Sequence, residues 1–156
     1  MNIERAILVG FIGNYLINTV VAALVALVPA TVGGGFFTPQ YITFVVLAII
    51  VVGILTWWYG QGTAKNVKNG TLFGVIGFLI AIVTAFVTGI AGVLAQTGSF
   101  AAIGNVLPNF WPFIWNVSTL VLLVYWVVPA ALVGWWLGRG AIQMGASRPI
   151  PQRPMV

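Results

Sequence analysis

Four long apolar runs, none carrying a charged residue, constrain this chain more than any other feature of its sequence. They lie at about 6–28, 41–59, 70–95 and 110–137. Each approaches or exceeds the ~20 residues that a helix needs to cross ~30 Å of hydrocarbon. Lipid offers no hydrogen bonds, so a spanning segment must pair its own backbone N–H and C=O groups, and a helix does so. Composition agrees. Of 156 residues, 61% are hydrophobic and only 4% charged, against roughly 25% charged in a soluble domain. The expected fold is an all-α membrane protein, with four transmembrane helices in an antiparallel bundle. Residues 1–137 form the membrane domain. A basic tail, 138–156, follows, and Pro149, Pro151 and Pro154 are expected to keep it from continuing a helix.

Charge sets the orientation. Arg5 precedes the first run, Lys65 and Lys68 separate the second from the third, and Arg139, Arg148 and Arg153 follow the fourth. The other two connections carry no charge. Every basic residue therefore falls on one side of a four-span arrangement, and the positive-inside rule makes that side cytoplasmic. Both termini are expected there, in a multi-pass protein of a bacterial or archaeal inner membrane. A cleavable leader is the rival reading of the first run. That run exceeds the 7–15 apolar residues of a leader and contains Asn14, Tyr15 and Asn18, so a retained span is expected.

Aromatic residues mark the two interfaces. Trp57, Trp58, Tyr59, Trp135 and Trp136 end runs on the basic side, and Phe36, Phe37, Tyr41, Trp111 and Trp115 fall on the other. Amphipathic rings favour headgroup level, so these are expected to form belts rather than a ligand box.

The third run carries a stripe. Gly70, Gly74, Gly77, Ala81, Thr84, Thr88, Ala91 and Ala95 recur at alternating spacings of four and three. In lipid, close backbone approach drives helices together, and small residues permit it. A 3.5-residue period predicts a left-handed crossing near +20°. The third span is therefore expected to be the central and most buried helix, the hub of the packing. The first run carries a second stripe: Gly10, Asn14, Asn18, Ala22 and Ala26. An unpartnered amide in hydrocarbon costs several kcal/mol, so Asn14 and Asn18 should face protein or a polar cavity.

Depth follows from a rise of ~1.5 Å per residue. Asn18 lies roughly 20 Å beyond Arg5, and Tyr125 roughly 21 Å before Arg139. Both come level with Thr84, which predicts a polar layer linking Asn18, Tyr125 and Thr84. Tyr125 and Trp126 are too deep for a belt, and their polar atoms need partners. Pro129 is expected to kink the fourth span near Tyr125, and Pro112 to occupy its first turn. Asn116 completes the set of intramembrane polar residues.

The inventory bounds function. With no Cys, no His and one acid, Glu4, thiol chemistry, imidazole or thiolate metal sites and carboxylate pairs are excluded. No catalytic residue or metal ligand is nominated, and enzyme activity is not expected. No cofactor is called for, though Trp and Phe faces could hold a lipid. Six dispersed basic residues form no nucleic-acid surface. Coupled ion transport usually requires ionisable groups within the membrane, and these spans have none. Two expectations remain. One is a structural or accessory subunit, assembling with other membrane subunits or with itself through the seam on span three. The other is an oligomeric pore or carrier for a neutral or weakly polar solute.

Overall fold

A computed structural model describes residues 2–29, 38–60, 66–104, 108, 112 and 116–146. Among them all regular structure is helical. Four helices are long and apolar enough to cross a membrane. Residues 30–37, which include Phe36 and Phe37, Lys65, Phe110, Trp111, Trp115 and the tail from 147 onward lie outside the described residues, as does the side chain of Tyr59.

Helix α1 spans Ile3–Val25. Asn2 caps it, its side-chain oxygen accepting from the Arg5 N–H at 3.2 Å. Helix α2 spans Pro39–Gly60. The Gln40 side chain donates to the Val28 carbonyl at 2.8 Å, tying the start of α2 to the chain just beyond α1. Helix α3 spans Val67–Thr97. Asn66 caps its start through the Asn69 N–H at 2.8 Å. Gly98 ends it in the left-handed region, φ 62°, and donates to the Leu94 carbonyl. Glycine suits that position because it has no Cβ to clash there. Helix α4 spans Val117–Ala146.

Two boundaries differ from expectation. Helix α4 runs unbroken through Pro129 to Ala146, well past Leu137, so the first part of the expected tail is helical. The prolines that stop a helix lie further on, and Gly138 and Gly140 are not sufficient to end one. At its other end α4 begins at Val117, not near Phe110. Pro112 is therefore not its first-turn proline. Asn116 is its cap, the side-chain oxygen accepting from the Thr119 N–H at 3.0 Å.

Short connections predict that consecutive helices are neighbours. That holds for α1 with α2 and for α3 with α4. It fails for α2 and α3, which barely touch. Helix α1 packs on α2 and α3, and α4 packs on those same two helices. The circuit is thus α1, α3, α4, α2. Glycines on α3, not loop length, select its neighbour. At Gly70 a Cβ would strike the Ala130 carbonyl, and at Gly74 it would come within 2.6 Å of the Trp126 carbonyl. The α4 backbone can come this close because the α3 residue at each point has no side chain.

Trp126 occupies the centre of this packing. It is fully buried. Its ring fills the space that Cβ atoms at Gly13 and Gly77 would occupy, and Leu55 of α2 also reaches the Gly13 site. Three helices therefore close on one indole. A single Trp side chain buries on the order of 200 Å². The indole Nε1 has no hydrogen-bond partner among the described residues.

A cleft between splayed helix halves

The small-residue stripe of α3 is occupied along only half its length. Every buried residue of α3 falls between Gly70 and Ala81: Gly70, Phe73, Gly74, Gly77 and Ala81. Thr84 is half-buried, and Thr88, Ala91 and Ala95 are exposed. Cβ atoms at Gly89 and Gly92 would meet nothing within 4 Å. The expectation that α3 is the central and most buried helix needs correction, since its burial stops at Ala81. Periodicity marks which face is small, but not how far a neighbour follows it.

Where α3 leaves its neighbours, a cleft of about 880 Å³ opens among all four helices. Helix α1 contributes Phe11, Asn14, Tyr15 and Asn18. Helix α2 adds Tyr41 and Phe44, near its start. Helix α3 adds Ala81, Thr84 and Thr88 with their neighbours. Helix α4 supplies Ser118, Thr119, Val121, Leu122 and Tyr125. None of the described lining residues is charged. Walls of aromatic and aliphatic side chains thus carry a sparse set of amides and hydroxyls.

The two asparagines are positioned by a local irregularity in α1. Residues Ile17–Val21 form one π-helical turn. Such a turn inserts one extra residue and rotates the downstream part of the helix. The buried face runs through Ala6, Val9, Gly10, Gly13, Asn14, Ile17 and Val21. It abandons the four-residue stripe: Asn18, Ala22 and Ala26 are exposed. The Asn18 amide turns back on its own helix. Its Nδ2 donates to the Asn14 backbone carbonyl at 2.8 Å and to Asn14 Oδ1 at 2.9 Å.

That pair fixes which way the Asn14 amide points. A backbone carbonyl only accepts, so the Asn18 atom near it must be the nitrogen. The Asn14 atom facing that nitrogen must then be its oxygen. The Asn14 NH₂ is left without a hydrogen bond among the described residues, on a side chain 7% exposed that lines the cleft. Tyr125 is similar. It is 5% exposed, it lines the cleft, and Phe44 meets its ring edge-on at 6.2 Å and 84°. Its hydroxyl has no hydrogen-bond partner among the described residues.

Asn18, Thr84 and Tyr125 do meet in one place, but not as the bonded layer expected from depth. Asn18 bonds Asn14, and the Thr84 carbonyl accepts from the Thr88 hydroxyl at 2.8 Å. Side chains on a helix satisfy themselves on the preceding turn when a partner helix stands too far away. Asn116 stands apart, committed to capping α4. Pro129 is buried within α4 near Gly53 of α2, outside the cleft lining. The role of Trp126 is only half legible in the sequence. Its depth is readable there, but the glycine slot that receives it comes from two other helices.

At the opposite end of the bundle lie the described basic residues Arg5, Lys68 and Arg139. The Arg139 guanidinium sits 3.9 Å over the Trp135 ring. Trp57, Trp58, Trp135 and Trp136 are exposed. The cleft itself offers hydrogen bonding and aromatic contact, with no acid or base to move a proton.

Comparison with known proteins returns no match: no family model, no curated protein and no solved structure is similar to this chain.

Proposed function

We propose that this chain is a multi-pass inner-membrane protein acting as a structural or accessory subunit, which docks another transmembrane helix along the uncovered half of its α3 seam. One observation carries the reading. Thr88, Ala91 and Ala95 continue the packed stripe of Gly70–Ala81 in the same register, yet they are exposed. In lipid a small-residue face gains little by remaining uncovered, and much by close approach of a second helix. The bundle is read as antiparallel with both ends cytoplasmic. Two features support this. Helix α3 meets α4 in reverse order, Gly70 at Ala130 and Gly74 at Trp126. The basic residues all fall on the side that the positive-inside rule assigns to the cytoplasm. A reporter fused after Val156 should be active in the cytoplasm, and activity outside would end that orientation.

The absence of cysteine from the sequence makes the docking test clean. Single cysteines placed at Ala91 or Ala95 should crosslink in native membranes to a product of defined mass. A cysteine at Val93, on the opposite face of α3 and at the same level, should not. Equal crosslinking at all three positions would end the proposal. The mass of the product separates a second copy from a different subunit.

The cleft favours a second reading, an oligomeric pore or carrier for a neutral or weakly polar solute. Solute flux in liposomes carrying the purified chain would support it, and absence of flux would count against it.

A further inference from the structure

We propose that the cleft holds the uncharged, carbonyl-bearing headgroup of a lipid-like amphiphile, with Asn14 and Tyr125 donating hydrogen bonds to it. This does not depend on the docking of another helix.

Three properties of the cleft define the ligand. The first is charge. None of the described lining residues carries any, and an ion placed here would lose its hydration without gaining a counter-charge. The ligand is therefore neutral. The second is hydrogen-bond polarity. Asn14 Oδ1 is already engaged by Asn18, and the Thr88 hydroxyl is spent on the Thr84 and Ala85 carbonyls. Among the described cleft-lining residues, the donors without a hydrogen-bond partner on buried side chains are the Asn14 NH₂ and the Tyr125 hydroxyl. Both donate, and the Asn14 NH₂ can do nothing else. Neither donor meets a protein acceptor among the described residues, so an acceptor seated in the cleft gains hydrogen bonds that the chain itself does not supply. A carbonyl oxygen, with two lone pairs, meets that requirement.

The third property is access. Phe11 and Tyr15, on the α1 rim, are 55% and 68% exposed, and Ala85 and Gly89 on the α3 rim are also exposed. In a spanning bundle these flanks face acyl chains, so the ligand enters from the membrane. Phe44, Ile82 and Leu122 then receive its apolar body. An ester of a neutral glyceride and the carbonyl of a quinone share this chemistry.

The test uses the full chain in phosphatidylcholine nanodiscs. Binding is measured for a diacylglycerol, its ether-linked dialkylglycerol analogue, a decyl-substituted benzoquinone and decylbenzene. One of the two carbonyl compounds should bind saturably, and its identity separates ester from quinone. Its carbonyl-free counterpart should bind at least about tenfold more weakly, the loss expected from one buried hydrogen bond. Tyr125→Phe keeps the ring against Phe44 and removes only the hydroxyl. It should weaken binding about tenfold, as should Asn14→Leu. Should Asn14→Leu misfold, Tyr125→Phe decides alone. Unchanged affinity in Tyr125→Phe, equal binding of the carbonyl-free analogue, or no saturable binding of either carbonyl compound would overturn the proposal.

Discussion

The two halves of this bundle are built from equally apolar helices, yet one is closed and the other open. In the half near Arg5, Lys68 and Arg139, glycines at 10, 13, 70, 74 and 77 let α1, α3 and α4 approach until side chains or backbone fill the place of a Cβ. In the other half, α3 has glycines too, at 89 and 92, but nothing stands opposite them. Glycine alone does not bring helices together. The closed half pairs Gly13 and Gly77 with a large partner, Trp126, whose ring fills the gap they leave. The open half offers Thr84 and Thr88 against Asn14, Asn18 and Tyr125, and these leave a cleft instead of interlocking.

The sharpest way to break this contrast is to remove the wedge. Trp126→Ala should destabilise the protein by ~3–5 kcal/mol, the cost of a large buried aromatic and the cavity it leaves. Thermal unfolding in detergent reads this directly. A loss under about 1 kcal/mol would mean that the halves are held by something other than the indole.

A smaller effect comes from filling the slot. Gly74→Leu sets a side chain against the Trp126 carbonyl and the Val127 Cα, which are backbone and cannot rotate away. Overpacking of this kind costs ~1–3 kcal/mol, and the same unfolding measurement should show it. A melting temperature equal to that of the unaltered protein would show that α3 and α4 can separate freely here.

The smallest effect belongs to the open half. Gly92→Leu adds a side chain where nothing lies within 4 Å. Stability of the isolated chain should change by less than about 0.5 kcal/mol. If this substitution destabilises the isolated chain as much as Gly74→Leu does, the distinction between the halves fails. If it spares stability but abolishes crosslinking from Ala95→Cys, the open seam gains its partner.

Legibility differs by kind of feature. The four helices are readable because a bilayer imposes a length and an apolar composition that few other contexts require. Asn66 and Gly98 bound α3 by capping rules that act within one turn. The polar layer is also readable, since Asn18, Thr84 and Tyr125 share a depth, with Asn14 one turn away. Their bonding is not. The π-helical turn at Ile17–Val21 shifts the register of α1 and turns Asn18 onto its own backbone, and nothing in a four-residue repeat announces that insertion. The reach of α4 to Ala146 escapes a reading based on hydropathy, because a helix can leave the membrane without ending.

The sequence by itself determined the number of long apolar helices, the approximate limits of the first three and the face of α3 that is small, because each depends on local composition and on rise per residue. Only the tertiary structure decided that α2 and α3 stand apart, that Trp126 closes one half, and that two donors on Asn14 and Tyr125 remain unmet in the other. Those outcomes depend on which surfaces come within van der Waals reach of one another. That is a property of pairs of helices, and no single helix encodes it.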